Sequence, residues 1–110
     1  MNTFIKICLI LCMSIIIKST YGEDVYVQYR GNVNLDKFVC RYVSSSLVNR
    51  ICFDRRQSYM VISLKGNYYH YCGIDEVIVK QLINADSVGR YFNEKIRGQF
   101  DCRTGLVPRY

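Results

Sequence analysis

The stretch 45–74, SSLVNRICFDRRQSYMVISLKGNYYHYCGI, decides the fold. Apolar and polar side chains alternate in 45–54 and again in 58–65, which is the period of two of a β-strand. The segment 68–74 is rich in tyrosine, which favours strands. An Arg-Arg-Gln turn separates the first two segments, and a tight reversal at Gly66-Asn67 separates the last two. The pattern predicts a three-stranded antiparallel meander.

The periodicity changes from strand to helix after this stretch. In 75–85, DEVIVKQLINA, apolar residues recur at helical spacing, and Asp75 lies in the first turn, where the helix dipole favours an acid. Ser87 is a candidate cap for a second helix that runs through Ile96 and stops near Gly98. The chain is therefore predicted to be α+β: a small three-stranded meander followed by two short helices that pack on one face of the sheet.

The N-terminal sequence is typical of a secretory signal peptide. The apolar run 7–17 follows a lysine and is too short to span a membrane, and small residues, Thr20 and Gly22, precede a cleavage site before Glu23. We predict a signal peptide over residues 1–22 and hence a bacterial periplasmic or secreted protein without a stable membrane span. The alternatives are a buried first element of the domain, a lipoprotein anchored through Cys12, and an uncleaved anchor.

Composition places the chain among globular proteins of one domain. The 110 residues are 50% hydrophobic, and 15 Lys and Arg against 9 Asp and Glu give a net charge of +6. Export would remove two lysines and no acid, which lowers the net charge to about +4. This balance excludes a disordered or strongly charged tail and suits weak attraction to anionic partners.

Four cysteines remain after the predicted cleavage: Cys40, Cys52, Cys72 and Cys102. An even number in a short exported chain predicts two disulfides. In a meander, Cys52 and Cys72 lie on the outer strands, about 10 Å apart, which is beyond the reach of a disulfide. We therefore expect Cys40–Cys52 with Cys72–Cys102, because both close short loops; Cys40–Cys72 with Cys52–Cys102 remains open.

The rest of the mature chain divides into three segments. Residues 23–44 are an N-terminal arm, either extended or forming a short edge strand. Residues 45–97 form the domain itself. Residues 98–110 are a tail without periodicity, which Cys102 would tie to the domain.

The domain resembles the KTSC family, a short module named for its occurrence at the C-terminus of some lysyl-tRNA synthetases. The resemblance rests on short motifs in the same order as in the family. Their residues are Ser45, Ser46, Phe53, Asp54, Gly66, Tyr69, His70, Tyr71, Ser87, Gly89, Tyr91, Phe92, Asn93 and Ile96. Cys52 stands where the family usually has Gly, and Cys72 also replaces a residue that is ordinarily not Cys. Both substitutions indicate a cytoplasmic module converted to a disulfide-stapled, exported one.

What the resemblance implies about function is limited. The family has no established catalytic residues to carry over. RNA binding is suggested for it from the synthetase context, and this suggestion transfers poorly to an exported chain. Nucleic acid is therefore disfavoured as a partner of this protein.

Candidate binding residues lie in and beside the second hairpin. They are Tyr69, His70, Tyr71, Arg55 and Arg56. Tyrosines beside arginines are typical of recognition surfaces. The alternative is that Tyr69 and Tyr71 fill the core, because alternate strand residues share a face.

Catalytic and metal chemistry have few candidate residues. His70 is the only histidine, so any acid–base scheme depends on it. The cysteines lack the paired spacing of zinc ligands, and we expect no metal and no cofactor. The sequence predicts a small exported, non-catalytic binding module whose partner is a periplasmic protein or an anionic polymer. A periplasmic inhibitor or immunity-type protein and a small secreted nuclease are the alternatives; ligand and oligomeric state stay open.

Overall fold

A computed structural model describes residues 22–104 and 107–110. The predicted signal peptide, 1–22, lies outside the described residues except for Gly22. The strands are β1 (Asp24–Val27), β2 (Gly31–Asn34), β3 (Val39–Tyr42), β4 (Val48–Asp54), β5 (Tyr59–Leu64) and β6 (Asn67–Cys72). The helices are α1 (Glu76–Ile83) and α2 (Val88–Tyr91), and α2 continues as a π-helical turn, Phe92–Ile96. Single 3₁₀ turns occupy Arg55–Gln57 and Cys102–Thr104.

The predicted meander exists as β4, β5 and β6, which pair antiparallel. The reversal between β5 and β6 is Lys65-Gly66 rather than Gly66-Asn67, because Leu64 pairs directly with Asn67. Both turn residues have positive φ, 50° and 88°, as a type I′ hairpin turn requires. The α+β class is therefore confirmed for this part of the chain.

The prediction of only three strands is wrong. The sheet has six strands in the order β2-β1-β6-β5-β4-β3, and β1 lies parallel to β6 while the other pairs are antiparallel. The predicted arm, 23–44, supplies all three additional strands. Each has only four residues, too few to establish a period, and their pairing with β4 and β6 is long-range.

The sheet is strongly curled. Strands β2 and β3 form its opposite edges, yet only residues 35–38 connect them. Such a connection spans at most about 18 Å, whereas the outer strands of a flat six-stranded sheet lie about 24 Å apart. The sheet therefore has a concave face, on which Leu35 and Phe38 of this connection pack.

The helices cover the opposite, convex face. Asp75 caps α1 by accepting a hydrogen bond from the Ile78 N–H (3.0 Å), and Ser87 caps α2 at the Arg90 N–H (3.2 Å). The core beneath the helices is entirely apolar. Its central residues are Ile51, Phe53, Met60, Ile62, Ile74, Leu82, Phe92 and Ile96.

The concave face holds a second, smaller core and both disulfides. Val27, Val33, Tyr59 and Val61 are fully buried there. The disulfides are Cys40–Cys52 and Cys72–Cys102, which is the pairing that we expected first. Cys52 and Cys72 lie on β4 and β6, with β5 between them, as the argument from the meander required.

Two features are absent from residues 22–104 and 107–110. None of the helices in this part of the chain is long and apolar enough to cross a membrane. Within the same residues, no three potential metal ligands of the His, Cys, Asp or Glu type come together.

Candidate functional site

The outer edge of β6 is open at one residue. The Gln28 N–H donates to the Tyr68 carbonyl (2.8 Å), and the Cys72 N–H donates to the Phe100 carbonyl (2.8 Å). Alternate residues of an antiparallel strand point their backbone groups in the same direction. The N–H and C=O of His70, which lies midway between Tyr68 and Cys72, therefore also point away from β5. No backbone hydrogen bond joins His70 to another described residue on this side.

The opening exists because β1 turns away from β6. The Arg30 N–H bonds back to the Val27 carbonyl (3.1 Å), and Tyr29 takes a left-handed backbone conformation with φ 68°. Phe100, on the other side of the opening, has φ 56°. Such backbone angles are costly for bulky residues and concentrate at ligand sites.

A cleft of about 610 Å³ occupies the opening, and we call it the β6 cleft. Its tyrosines come from two elements, and its charged residues come from the segment after α2. The lining residues used below are Tyr29, Tyr69, His70, Tyr71, Asp101 and Arg103. Tyr29 is 93% exposed and stands at the rim.

The charged groups of the cleft neutralise each other. The Arg103 side chain donates to the Asp101 carboxylate from Nε (2.7 Å) and forms an ion pair with it through Nη2 (2.6 Å). These hydrogen bonds lower the pKa of Asp101. The pair gives the cleft a dipolar rim without net charge.

The imidazole of His70 is held from the concave side. Its Nδ1 lies 2.8 Å from the Tyr59 hydroxyl, which accepts a hydrogen bond from Arg30 Nη1 (2.9 Å). Because arginine only donates, the proton of the Tyr59 hydroxyl is free to be donated to Nδ1, an arrangement in which the neutral ring carries its own proton on Nε2. Burial and the charge of Arg30 lower the pKa of His70, and the nearby Asp101 opposes them. His70 is therefore uncharged at neutral pH.

The five predicted binding residues do not share one surface. Tyr69, His70 and Tyr71 border the β6 cleft, but Arg55 and Arg56 line a separate groove between β3 and α1. Both tyrosines also pack against the helix-side core. The Tyr71 ring meets Phe92 edge to face at 5.7 Å, and burial raises the pKa of Tyr71.

The residues that carry the family resemblance have structural roles. The Ser45 hydroxyl accepts from the N–H groups of Leu47 and Val48 (both 3.2 Å). Gly89 of α2 lies directly against this turn: a Cβ there would be 3.5 Å from the Ser45 hydroxyl, an ordinary contact distance. Asp54 caps the 3₁₀ turn at the Arg56 N–H (3.0 Å).

The sequence interpretation missed Tyr29, Asp101 and Arg103. For the last two, a signal was available: once Cys102 is paired with Cys72, its neighbours must lie beside His70. For Tyr29 no signal existed, because the parallel pairing of β1 with β6 brings it to the cleft.

Comparisons with known proteins give matches for the central part of the chain. A family model of the KTSC domain matches residues 44–100. The crystal structure of a KTSC domain protein from Yersinia pestis is similar, with a TM-score of 0.56 and 29% sequence identity, and the match covers 58% of this chain and 92% of that one. No curated protein matches the sequence.

Proposed function

Because the chain belongs to the KTSC domain family, whose function is unknown, we propose its role from its own site: it is an exported, non-catalytic binding module, and the β6 cleft is its ligand site. Export is supported by the apolar run 7–17 and by the two disulfides, since disulfides persist in oxidising compartments. Absence of catalysis is supported by Asp101, the acid that lines the cleft beside His70, because Arg103 already engages its carboxylate.

The observation that carries the proposal is the open backbone at His70. One N–H and one C=O face a cleft between two positions that do have outward partners, through the Tyr68 carbonyl and the Cys72 N–H. A secondary amide is the ligand group that satisfies such a donor and acceptor together. The tyrosines around it offer flat faces for stacking.

The ligand therefore combines a secondary amide with a flat apolar face. Acetamido sugars and short peptides both have this chemistry. The net basic charge of the chain does not distinguish them, because the charges in the cleft itself are paired.

Two probes distinguish these sources: the trimer of N-acetylglucosamine and a capped alanine tripeptide. Each is titrated into ¹⁵N-labelled, disulfide-intact protein, and we expect one of them to shift the amide signal of His70. Tyr29→Ala should weaken the binding of that probe about two- to tenfold. The matched control is Tyr26→Ala, which removes another exposed tyrosine from the neighbouring strand, outside the cleft.

Three results would contradict the proposal. Neither probe shifts the His70 amide, or Tyr29→Ala binds as tightly as Tyr26→Ala, or the protein hydrolyses a probe and loses this activity in His70→Ala. The last result would support the small secreted enzyme instead.

Export has its own test. Expressed with its full N-terminus in a bacterium, the protein should appear in the periplasm or medium. Its N-terminal sequence should begin at Glu23, and its intact mass should match a chain that starts there. A full-length product that stays in the cytoplasm would remove the basis for the oxidising compartment.

A further inference from the structure

Strand β3 is an edge of the sheet with outward-facing backbone groups. The Val43 N–H donates to the Asn49 carbonyl (3.1 Å), so the groups of Val43 point toward β4. Cys40 faces Cys52 with a Cα–Cα distance of 4.0 Å, the close spacing of a pair without mutual hydrogen bonds. The N–H and C=O groups of Cys40 and Tyr42 therefore point away from the sheet. Among the described strands, only β4 pairs with β3.

A groove of about 600 Å³ runs between this edge and α1, and we call it the basic groove. Phe53 and Val79, both buried, form its apolar floor. Val39 projects from β3 on the same side and is 73% exposed. An edge strand beside a helix, with an apolar floor between them, is the geometry in which domains bind extended peptides by strand addition.

The rim of the groove carries an excess of positive charge. Its basic residues are Lys37, Arg41, Arg55, Arg56 and Lys80. Its two acids are engaged: Glu76 pairs with Lys80 (3.1 Å) and Arg55 (3.7 Å), and Asp54 accepts from the Tyr110 hydroxyl (2.8 Å). No ion pair among the described residues involves Lys37, Arg41 or Arg56.

We propose that the basic groove binds an extended acidic segment of a partner protein, which pairs with β3 as an additional strand. Backbone hydrogen bonds to Cys40 and Tyr42 would hold the segment, and its carboxylates would face the cations of the rim. The same charges disfavour pairing of β3 with a second copy of this chain, because like charges would face each other across the new ladder. This site is independent of the β6 cleft, so either can fail alone.

The charge part is tested with a fluorescent seven-residue peptide of alternating Glu and Val, whose binding is followed by anisotropy. The double variant Arg41→Glu/Arg56→Glu should weaken binding about tenfold or more and reduce its salt dependence. The matched control, Arg90→Glu/Lys95→Glu, changes the net charge equally on the exposed surface of α2 and its π turn and should bind like the parent. A Lys-Val peptide should not bind.

The strand-addition part is tested at Tyr42. Tyr42→Pro removes an outward N–H, which an edge strand tolerates, and should weaken peptide binding about fivefold or more. Tyr42→Ala loses the same ring, which packs on Arg50 (4.9 Å), but keeps the N–H and should bind like the parent. Circular dichroism confirms that both variants fold.

The following outcomes would overturn the proposal. The acidic peptide binds the Arg41/Arg56 and Arg90/Lys95 variants equally, or Tyr42→Pro and Tyr42→Ala bind equally. A single-stranded oligonucleotide that displaces the peptide and is insensitive to Tyr42→Pro would make the groove a polyanion site. Self-association that Tyr42→Pro abolishes would make a second copy the occupant.

Discussion

The part of the chain that matches the KTSC family and the segments on either side of it are held in different ways. The buried residues of the convex core all lie within residues 44–100, so that core is closed within one continuous segment. The described flanking segments, 22–43, 101–104 and 107–110, lie along the sheet edges and over the concave face. Each disulfide joins a flanking cysteine to a family cysteine: Cys40 to Cys52, and Cys102 to Cys72.

Three polar contacts of the concave face follow the same rule. Glu23 pairs with Arg50, whose side chain is only 10% exposed; Arg30 donates to the Tyr59 hydroxyl; and the Tyr110 hydroxyl donates to Asp54. In each of these three contacts a flanking residue bonds a family residue, whereas the contact between Tyr59 and His70 lies within the family segment. Apolar packing stabilises the family domain. The flanking segments have less apolar contact, and disulfides and polar bonds supply much of what holds them to the domain. The flanks should therefore open before the family core does.

The largest effect is expected from the convex core. Phe92 is fully buried beneath the helices, and Phe92→Ala leaves a cavity there. The free energy of unfolding should fall by about 3–5 kcal/mol, measured by urea denaturation, and both regions should unfold together. Val77→Ala, at an exposed position of α1, is the control and should change stability by less than about 0.5 kcal/mol. Comparable losses in the two variants would show that the helices do not close the core.

The second effect concerns the disulfide of the C-terminal flank. Cys72→Ala/Cys102→Ala should lower the free energy of unfolding by about 2–4 kcal/mol. Hydrogen exchange should accelerate in 98–104 and at position 72, whose N–H bonds the Phe100 carbonyl, while amides of β4 and β5 stay protected. Equal acceleration in β4 and β5 would mean that flank and family core form one cooperative unit.

A smaller effect is expected at the pair that ties β1 to β4. Glu23→Gln leaves the buried guanidinium of Arg50 without its carboxylate, and its Nε already lacks a partner among the described residues. The free energy of unfolding should fall by about 1–3 kcal/mol at neutral pH, less than for a fully buried pair because Glu23 is half exposed. Asp24→Asn, which changes the charge of the neighbouring residue, is the control. A loss in Asp24→Asn equal to that in Glu23→Gln would assign the effect to net charge.

The sequence predicts the family core well and the flanks poorly, for a physical reason. Strands β4 to β6 and both helices carry local periods and caps, such as Asp75 and Ser87, that neighbouring residues specify. The flanking strands acquire their structure from partners far along the chain, as β1 does from β6. The number and order of the strands, the curl of the sheet and the opening at His70 all follow from that pairing.

The candidate site divides along the same boundary. Tyr69, His70 and Tyr71 belong to the family core and could be selected from the sequence. The flank supplies Tyr29, Asp101 and Arg103, which complete the cleft. Arg55 and Arg56 could be selected as well, but their groove depends on β3, another flanking strand.

The smallest effect is a pH dependence that belongs to the concave face. His70 has a lowered pKa in the folded protein, mainly through burial and secondly through Arg30. Below about pH 6.5 the unfolded chain takes up a proton at this residue and the folded chain does not. Stability should therefore be complete above that pH and fall as the pH is lowered, until the folded His70 also becomes protonated.

His70→Gln tests this assignment, because the chain has no other histidine. The free energy of unfolding of the parent, measured by urea denaturation between about pH 7.5 and 5, should decrease toward acid, while that of His70→Gln should stay nearly flat. Glu23 and Asp101 contribute little in this window, because carboxyl groups are still largely ionised above about pH 5 in the unfolded chain, and in the folded chain hydrogen bonds to arginine lower their pKa values further. In hydrogen exchange the acid-induced opening should appear in the flanks before β4 and β5, because the imidazole lies on the Tyr59 side of the sheet. A parent and variant with equal slopes would mean that Tyr59 and Arg30 do not hold His70 neutral, and the concave face would then be no more sensitive to acid than the convex one.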